Sequence, residues 1–192
     1  MKKICTFLVT MIIVSAFSCK QAKKDASDAM EDAKEEIVEI IEVEAIKFKM
    51  EPKSDSNVDG EVEFTEENGT VTMKATFSGL SEGEHAIHIH EKADCSSADG
   101  TSTGGHWNPT FQPHGKWGDA GGFHTGDIGN FMADAEGNGT IEFSTDKWCI
   151  GCDDETKNIV GKAVIVHQGV DDFTSQPSGA AGARISCTGI IQ

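Results

Sequence analysis

The sequence predicts an all-β protein, an antiparallel sandwich or barrel, and two observations carry that prediction. From about residue 42 onward, short runs of alternating apolar and polar residues recur, as they do in strands with one buried face. The composition agrees, because 21 of the 192 residues are Gly and only 7% are aromatic. This profile is more typical of a turn-rich β protein than of a helical bundle.

The length and charge of the chain limit its class. A chain of 192 residues, 38% of them hydrophobic, can form one domain with a packed core plus accessory segments. Its net charge is −16, whereas nucleic-acid binding depends on clustered Lys and Arg that release counterions. We therefore expect no nucleic-acid partner, and repulsion from anionic membrane surfaces.

Residues 1–18 have the pattern of a signal peptide. Lys2 and Lys3 precede a mainly apolar run, residues 4–17, which is too short to span a bilayer comfortably. Small residues then precede Cys19, and this resembles a bacterial lipoprotein signal, in which the cysteine is lipidated and becomes the mature N-terminus. Ordinary secretory cleavage is the alternative. Either way we expect an extracytoplasmic protein, with a lipid on Cys19 as its only membrane contact.

Residues 19–41 are predicted to be a charged tether between this lipid and a domain at residues 42–192. The segment contains four Lys, seven acidic residues and no Gly or Pro. Its apolar residues recur at helical spacing, but the stripe is too short to favour a coiled-coil assembly helix. A solvated tether that lifts the domain off the membrane is the interpretation we adopt.

Within the domain, turn residues separate the predicted strands. Asn68-Gly69 and Gly137-Asn138-Gly139 are hairpin signals. Residues 91–139 lack periodicity and are rich in Gly, Asp and His, which favours a functional loop. The alternating runs are residues 43–50, 61–64, 71–77, 85–90, 140–143 and 161–167.

Histidines in one of these strands are spaced like metal ligands. His88 and His90 alternate with Ile87 and Ile89, so the two imidazoles share one face of the strand. Their Cα atoms should be roughly 7 Å apart, close enough for both rings to meet one ion. His85 falls on the isoleucine face, and we interpret it as a structural histidine.

The long loop supplies a second candidate set, His106, His114, His124 and Asp127. Three imidazoles and one carboxylate fit a closed, four-coordinate structural zinc site. A scatter of exposed loop histidines is the alternative. Six histidines with one Asp are more than one site needs, and an imidazole-rich set without Cys suits copper, with the second set suiting zinc.

Five motifs follow one another in the domain: GEHAIHIHEKADC (83–95), HWNP (106–109), HTGDIGN (124–130), VIVH (164–167) and GARISC (182–187). In this order they resemble the copper/zinc superoxide dismutase family, in a bacterial lipoprotein-type member. The resemblance covers residues 42–192. It implies an eight-stranded antiparallel Greek-key β-barrel (a sandwich architecture) with long metal-binding and electrostatic loops, and one copper and one zinc per chain.

The resemblance also implies a role for each site residue. The bridging ring of His106 and the anion-positioning guanidinium of Arg184 would be catalytic, and Asp171 would accept hydrogen bonds from His88 and His114. The implied copper ligands are His88, His90, His106 and His167. The implied zinc ligands are His106, His114, His124 and Asp127.

The cysteines fit an oxidising compartment. By resemblance, Cys95 and Cys187 form the family's intramolecular disulfide. Cys149 and Cys152 lie outside the family pattern. We expect them to form a second, local disulfide, and a redox or copper-loading pair is the alternative.

The implied function is dismutation of superoxide to O2 and H2O2, which would protect the cell envelope. A non-catalytic copper-binding or buffering lipoprotein on the same barrel is the competing function. A zinc hydrolase is disfavoured, because no convincing general base accompanies an open zinc site. A homodimer stays open, since an insertion at residues 96–105 lies in the subloop that often shapes the family's dimer contact.

Overall fold

A computed structural model describes residues 45–192, so the predicted signal peptide, Cys19 and tether lie outside the described residues. Eight strands form a closed barrel in the order β1-β2-β3-β6-β5-β4-β7-β8, and every neighbouring pair is antiparallel. The predicted all-β, eight-stranded barrel is therefore confirmed. No helix within residues 45–192 is long and apolar enough to cross a membrane. The strands are β1 (Ala45–Pro52), β2 (Asp59–Glu67), β3 (Thr70–Ser78), β4 (Gly83–His90), β5 (Gly129–Ala133), β6 (Gly139–Thr145), β7 (Ala163–His167) and β8 (Arg184–Gly189).

The strand pairs differ greatly in length. β2 and β3 align along their whole length, from Asp59↔Ser78 to Glu67↔Thr70. At two seams the ladder is short: β5 meets β6 through the single pair Ala133↔Gly139, and β1 meets β8 through Glu51↔Cys187 and Pro52↔Ser186. The barrel is closed, but the number of paired residues differs greatly from one pair of strands to the next.

The β2–β3 hairpin shows how the local sequence sets the register. Asn68 and Gly69 have positive φ angles of 51° and 74°. A two-residue turn of this hand matches the twist of the flanking strands, and Asn-Gly tolerates it best. The resulting register buries alternate residues of β3, and Val71, Met73, Ala75 and Phe77 pack into the core.

The strands that carry the histidines are buried on both faces. Ile87 and Ile89 of β4 point into the core, with Val164 and Val166 of β7 beside them. The intervening residues point outward and are also buried. On this outer surface, Ala163, Ile165 and Cys187 form a small apolar cluster that is separate from the core, and Cys95 packs against it. The loops therefore cover this side of the barrel.

Two strands had no counterpart among the predicted alternating runs. The interpretation of residues 91–139 as loop is wrong for β5, which is five residues long and buries only Phe131 and Ala133 between flanking glycines. β8 contributes Ser186 and Thr188, which are buried although polar. β8 is buried on both faces, and in β5 the outward residue Met132 is apolar although it is 60% exposed, so neither sequence alternates between apolar and polar residues.

Candidate metal centre

Strand pairing brings the first set of histidines together. β4 and β7 are neighbours, with His88 opposite Ile165 and His90 opposite Ala163. His167 is the last residue of β7, and an isolated bridge joins His90 to His106. The long loop is thus attached to β4 at the position where one of its histidines is needed.

Four imidazoles converge on one point outside the barrel, and we call them the four-histidine cluster. One ring nitrogen from each lies within 4.8 Å of the others, and all four side chains are buried. The members are His88, His90, His106 and His167.

A second group shares His106, and we call it the histidine–aspartate cluster. Its ligand atoms also lie within 4.8 Å of one another, and its members are buried. Asp127 Oδ1 is 2.8 Å from His106 Nδ1 and 3.2 Å from His124 Nδ1, and its Oδ2 is 3.0 Å from His114 Nδ1. The members are His106, His114, His124 and Asp127.

The backbone of the second cluster is fixed to the strand that carries the first. Ile89 N–H donates to Gly126 O at 2.9 Å, and Gly126 N–H donates to Trp107 O at 2.9 Å. Trp107 N–H in turn donates to Ile89 O at 2.8 Å. A Cβ at position 126 would collide with Ile89 O, so only glycine allows this approach.

The unpartnered atoms indicate a fit for two metal ions. In residues 45–192, six buried side-chain nitrogen or oxygen atoms lack a hydrogen-bond partner, and all six are imidazole nitrogens of these clusters. Buried polar atoms are nearly always paired, so such a set is what ligands without their ion look like. The atoms are His88 Nδ1, His90 Nε2, His106 Nε2, His114 Nδ1, His124 Nδ1 and His167 Nε2.

Hydrogen bonds on the opposite nitrogens fix the tautomers of the four-histidine cluster. His90 Nδ1–H donates to Gly104 O at 3.0 Å, and His167 Nδ1–H donates to Gly182 O at 3.3 Å. His88 Nε2–H donates to Asp171 Oδ2 at 2.9 Å. Carbonyl and carboxylate oxygens only accept, so the nitrogen that faces the cluster keeps its lone pair for a metal.

Asp171 connects the two clusters from behind. Its Oδ2 accepts from His88 and its Oδ1 accepts from His114 Nε2 at 2.8 Å. Asn130 holds the Asp171 backbone through both its amide nitrogen and its amide oxygen. Gly179 passes so close that a Cβ there would collide with the carboxylate, which fixes its orientation.

The charges in the metal centre suit cations. Burial lowers the pKa of His106 to about 4, against the opposing hydrogen bond to Asp127, so this ring is neutral at pH 7. Burial also disfavours a charge on His114, but the neighbouring carboxylates of Asp127 and Asp171 outweigh it and raise its pKa to about 9. Carboxylates that stabilise a proton here would equally stabilise a divalent ion.

A cavity of about 350 Å³ opens onto the four-histidine cluster, and its lining includes His106, His167 and Arg184. Arg184 Nη1–H donates to Gly100 O at 2.8 Å and to Thr103 Oγ1 at 2.9 Å. Burial lowers the pKa of Arg184 from 12.5, but a guanidinium remains charged at any working pH. The cavity therefore places a fixed positive charge beside the cluster.

Both cysteine pairs are bonded in the structure. Cys95–Cys187 attaches the loop before His106 to β8, and Cys149–Cys152 closes a turn between β6 and β7. Every described residue that the sequence assigned to a metal thus lies in one of the two clusters. Asp171 and Arg184 border them, and the Cys149–Cys152 pair belongs to neither cluster.

Sequence reasoning missed several residues that hold the centre in place. Gln176 binds the backbone of His114 at both N and O, each at 2.9 Å, and Thr103 binds Arg184. Gly104 and Gly182 act only through backbone carbonyls, a role that leaves no mark on residue type. Thr103 had no signal either, because Thr101 and Ser102 precede it in the same subloop and residue type does not show which hydroxyl reaches Arg184.

Comparison with known proteins identifies the family of this chain and several relatives. The family model described as copper/zinc superoxide dismutase matches residues 58–191. The extracellular Cu-Zn superoxide dismutase of Caenorhabditis elegans is 32% identical over 156 residues, covering 78% of this chain and 68% of that protein. Cu-Zn superoxide dismutase 2 of Aquifex aeolicus (strain VF5) is 34% identical over 144 residues, covering 72% and 82%.

Similar solved structures include proteins with other descriptions. A double mutant of a SOD-like protein from Bacillus subtilis matches with a TM-score of 0.68 and 28% identity, covering 76% of this chain and 97% of that chain. The clock protein EA4 matches with a TM-score of 0.65 and 32% identity, covering 77% and 94%. The chain belongs to the copper/zinc superoxide dismutase family, and its two histidine clusters can bind that family's metals.

Proposed function

We propose that the protein dismutes superoxide to O2 and H2O2 at a copper ion in the four-histidine cluster, with zinc in the histidine–aspartate cluster. One observation carries the proposal: His106 belongs to both clusters, with Nε2 unpartnered on one side and Nδ1 facing Asp127 on the other. A single imidazole that is a ligand of both ions would couple the chemistry of one ion to the other. Two independent metal-storage sites would not need a shared ligand.

The donor atoms support this assignment of the metals. Four imidazole nitrogens without thiolate or carboxylate suit copper, whereas three imidazoles and a carboxylate form a closed set typical of structural zinc. Bound copper would supply one-electron exchange, oxidising one superoxide to O2 and reducing the next. The zinc ligands would hold His106 in orientation.

The chain's own residues would select and position the substrate. Arg184 supplies a fixed cation to the cavity that opens onto the four-histidine cluster, which favours an anionic substrate. The net charge of −16 opposes capture of an anion from solution, so attraction must be local. Arg184 is held by Gly100 O and Thr103 Oγ1, which leaves little freedom for its guanidinium to move.

His106 would also move a proton. Two superoxide anions and two protons give O2 and H2O2, so each cycle must deliver protons to the reduced substrate. His106 Nε2 has no hydrogen-bond partner in the structure and the residue lines the cavity, so this nitrogen is placed to take up a proton and to pass it on to substrate. Solvent in the cavity would supply the second proton.

A non-catalytic copper-binding or buffering protein is the competing function. The SOD-like protein and the clock protein among the similar structures keep this alternative open. Arg184 favours the enzyme, because storage requires only ligands whereas an anion-positioning cation beside the cluster is useful only with an anionic substrate.

Metal analysis with a superoxide-consumption assay tests the proposal on the full-length protein. We expect about one copper and one zinc per chain, and a His106→Ala loss of activity well beyond the roughly 10–100-fold that changing an outer-shell partner costs. Arg184→Ala should lower the rate while metal content stays constant, and Arg184→Lys should restore part of it. Full copper occupancy without superoxide consumption would favour buffering instead.

We further propose that the domain at residues 42–192 is carried on a lipidated tether, residues 19–41, after removal of residues 1–18. The two disulfides and the extracellular relative favour an extracytoplasmic location. Labelling with a radioactive fatty acid should mark the protein, and Cys19→Ser should abolish the label and release the protein from membranes. Membrane release without loss of label would contradict the lipid site.

A further inference from the structure

The turn that contains the Cys149–Cys152 disulfide contacts the zinc ligands through Trp148. Trp148 is 1% exposed, and its Nε1–H donates to Thr125 O at 2.8 Å. Thr125 lies between His124 and Asp127, two members of the histidine–aspartate cluster. An indole anchored in the core thus holds the peptide backbone that presents these two ligands.

The indole is itself fixed by aromatic packing. Trp148 packs against Phe143 with ring centroids 5.1 Å apart, against Trp117 at 6.0 Å and against Phe64 at 6.3 Å. Trp117 packs in turn on Phe123, the residue before His124, at 4.8 Å. The ring therefore has little freedom to turn its N–H away from Thr125.

The chain after Trp148 is also clamped. Cys149 N–H donates to Lys157 O at 2.9 Å, and the Ile150 N–H donates to Glu66 Oε2 at 2.7 Å. Asn158 Nδ2 donates to Cys152 O at 2.9 Å, and the disulfide closes the same turn. The turn thus fixes the backbone from which Trp148 projects, while Cys152 at its far end remains partly exposed.

We propose that Trp148, held in place by the Cys149–Cys152 turn, is a positioning residue of the zinc site. This inference rests on the proposed assignment of zinc to the histidine–aspartate cluster. Trp148 acts through the backbone, since its single N–H donor is bound to the Thr125 carbonyl and not to a ligand side chain. It fixes the Thr125 carbonyl and hence the spacing of His124 and Asp127, and without this bond a buried carbonyl is left unpaired.

Zinc release tests the inference. The full-length protein is loaded with zinc and copper and mixed with an excess of a chromophoric chelator, and zinc transfer is followed over time. Trp148→Phe removes the N–H donor but keeps a ring in the core. We expect it to release zinc about tenfold faster, with copper retention unchanged.

Phe77→Leu is the matched control, because Phe77 is a buried core ring that packs on Phe131 and belongs to none of the aromatic pairs that hold Trp148. It should lower the thermal midpoint but leave zinc release as in the wild type. Cobalt(II) in place of zinc supplies a second readout, and its visible spectrum should change in Trp148→Phe but not in Phe77→Leu. Equal acceleration of zinc release by both variants would overturn the positioning role.

The turn is tested by Cys149→Ser combined with Cys152→Ser, which leaves Trp148 in place. We expect zinc release about threefold faster, because the aromatic packing remains. Zinc release at the wild-type rate from this variant would show that the disulfide has no part in positioning Trp148.

The metal assignment and the role of Trp148 fail in different ways. A wild-type protein that binds no zinc at the histidine–aspartate cluster would refute the metal assignment. Zinc that is bound there but released equally slowly from Trp148→Phe would refute only the role of Trp148.

Discussion

The barrel has two sides that share one hydrogen-bonding pattern and differ in what covers them. On the side formed by β1, β2, β3 and β6, outward side chains meet solvent, as in the exposed ion pairs Lys47–Glu61 and Lys74–Glu142. On the side formed by β4, β7 and β8, outward side chains are buried beneath loops, and His88, His90 and Cys187 are among them. A strand's inward residues build the core in both cases.

The difference shows where the metal centre is built. It lies in a second layer outside the barrel, on strands whose inner face is fixed by Ile87, Ile89, Val164 and Val166. A rigid strand gives ligands defined directions, and the covering loops complete the centre and exclude water. Substitutions on the two sides should therefore have very different consequences.

The largest expected effect comes from the disulfide that ties the covering loop to β8. Cys95 and Cys187 are separated by 92 positions, and in the chain-entropy model closing such a loop stabilises by about 4–5 kcal/mol. Cys95→Ser with Cys187→Ser should lower the free energy of unfolding in urea by about that amount. The control pair, Cys149→Ser with Cys152→Ser, closes a much shorter loop and should cost about 2 kcal/mol. Equal losses would contradict the loop-length account.

The next largest effect concerns Asp171. Asp171→Ala removes both carboxylate oxygens, so neither His88 nor His114 keeps its acceptor. We expect copper and zinc affinity, measured by chelator competition, both to fall by about 10–100-fold. Asp172→Ala is the matched control, because that carboxylate is exposed and bonds only within its own turn, to Thr174 and Ser175. Loss of one metal alone would contradict a shared support.

A smaller effect is expected from Thr103, whose hydroxyl accepts from Arg184 and donates to Gly100 O. Thr103→Val keeps the shape of the side chain but loses both hydrogen bonds, so the rate of superoxide consumption should fall about fivefold. Thr103→Ser keeps the hydroxyl and should behave as the wild type. Metal content should stay constant in both variants. A loss of copper in Thr103→Val would show that the residue supports the ligands instead of Arg184.

The smallest effect is expected on the solvent side. Lys74→Gln breaks the exposed pair with Glu142, whose side chains are each 63% exposed. Such pairs contribute little, so the free energy of unfolding should change by no more than about 0.5 kcal/mol. Metal content should be unaffected. Metal loss here would mean that the two sides are coupled through the core.

Sequence patterns predicted the fold best on the solvent side. β2, β3 and β6 alternate, and Asn68-Gly69 marks the turn between the first two, so local rules suffice. β8 was missed because it is covered on both faces and has no exposed polar position to reveal its period, and β5 was missed because its exposed residue, Met132, is apolar. The strand that carries His88 and His90 could be predicted although both its faces are buried, because histidines occupy one face and isoleucines the other.

The centre was predictable as far as residue type carries its chemistry. Imidazoles and Asp127 are conspicuous, whereas Asp171 and Asp172 are the same residue side by side in the sequence. Burial separates them, since Asp171 is 1% exposed and its neighbour faces solvent. The carbonyls of Gly104, Gly182 and Thr125 could not be predicted, because any residue has one and only the folded backbone decides where it points.

The two short seams of the barrel bear on how the protein would self-associate. A closed barrel offers no strand edge to another chain. The β5–β6 seam has the single pair Ala133↔Gly139, and the β1–β8 seam has two pairs. Opening the barrel at either seam therefore breaks the fewest strand pairings. Partial opening there would expose β5 and β6, or β1 and β8, as templates for intermolecular pairing. Resistance to aggregation should therefore depend on these few residue pairs more than on the long β2–β3 ladder.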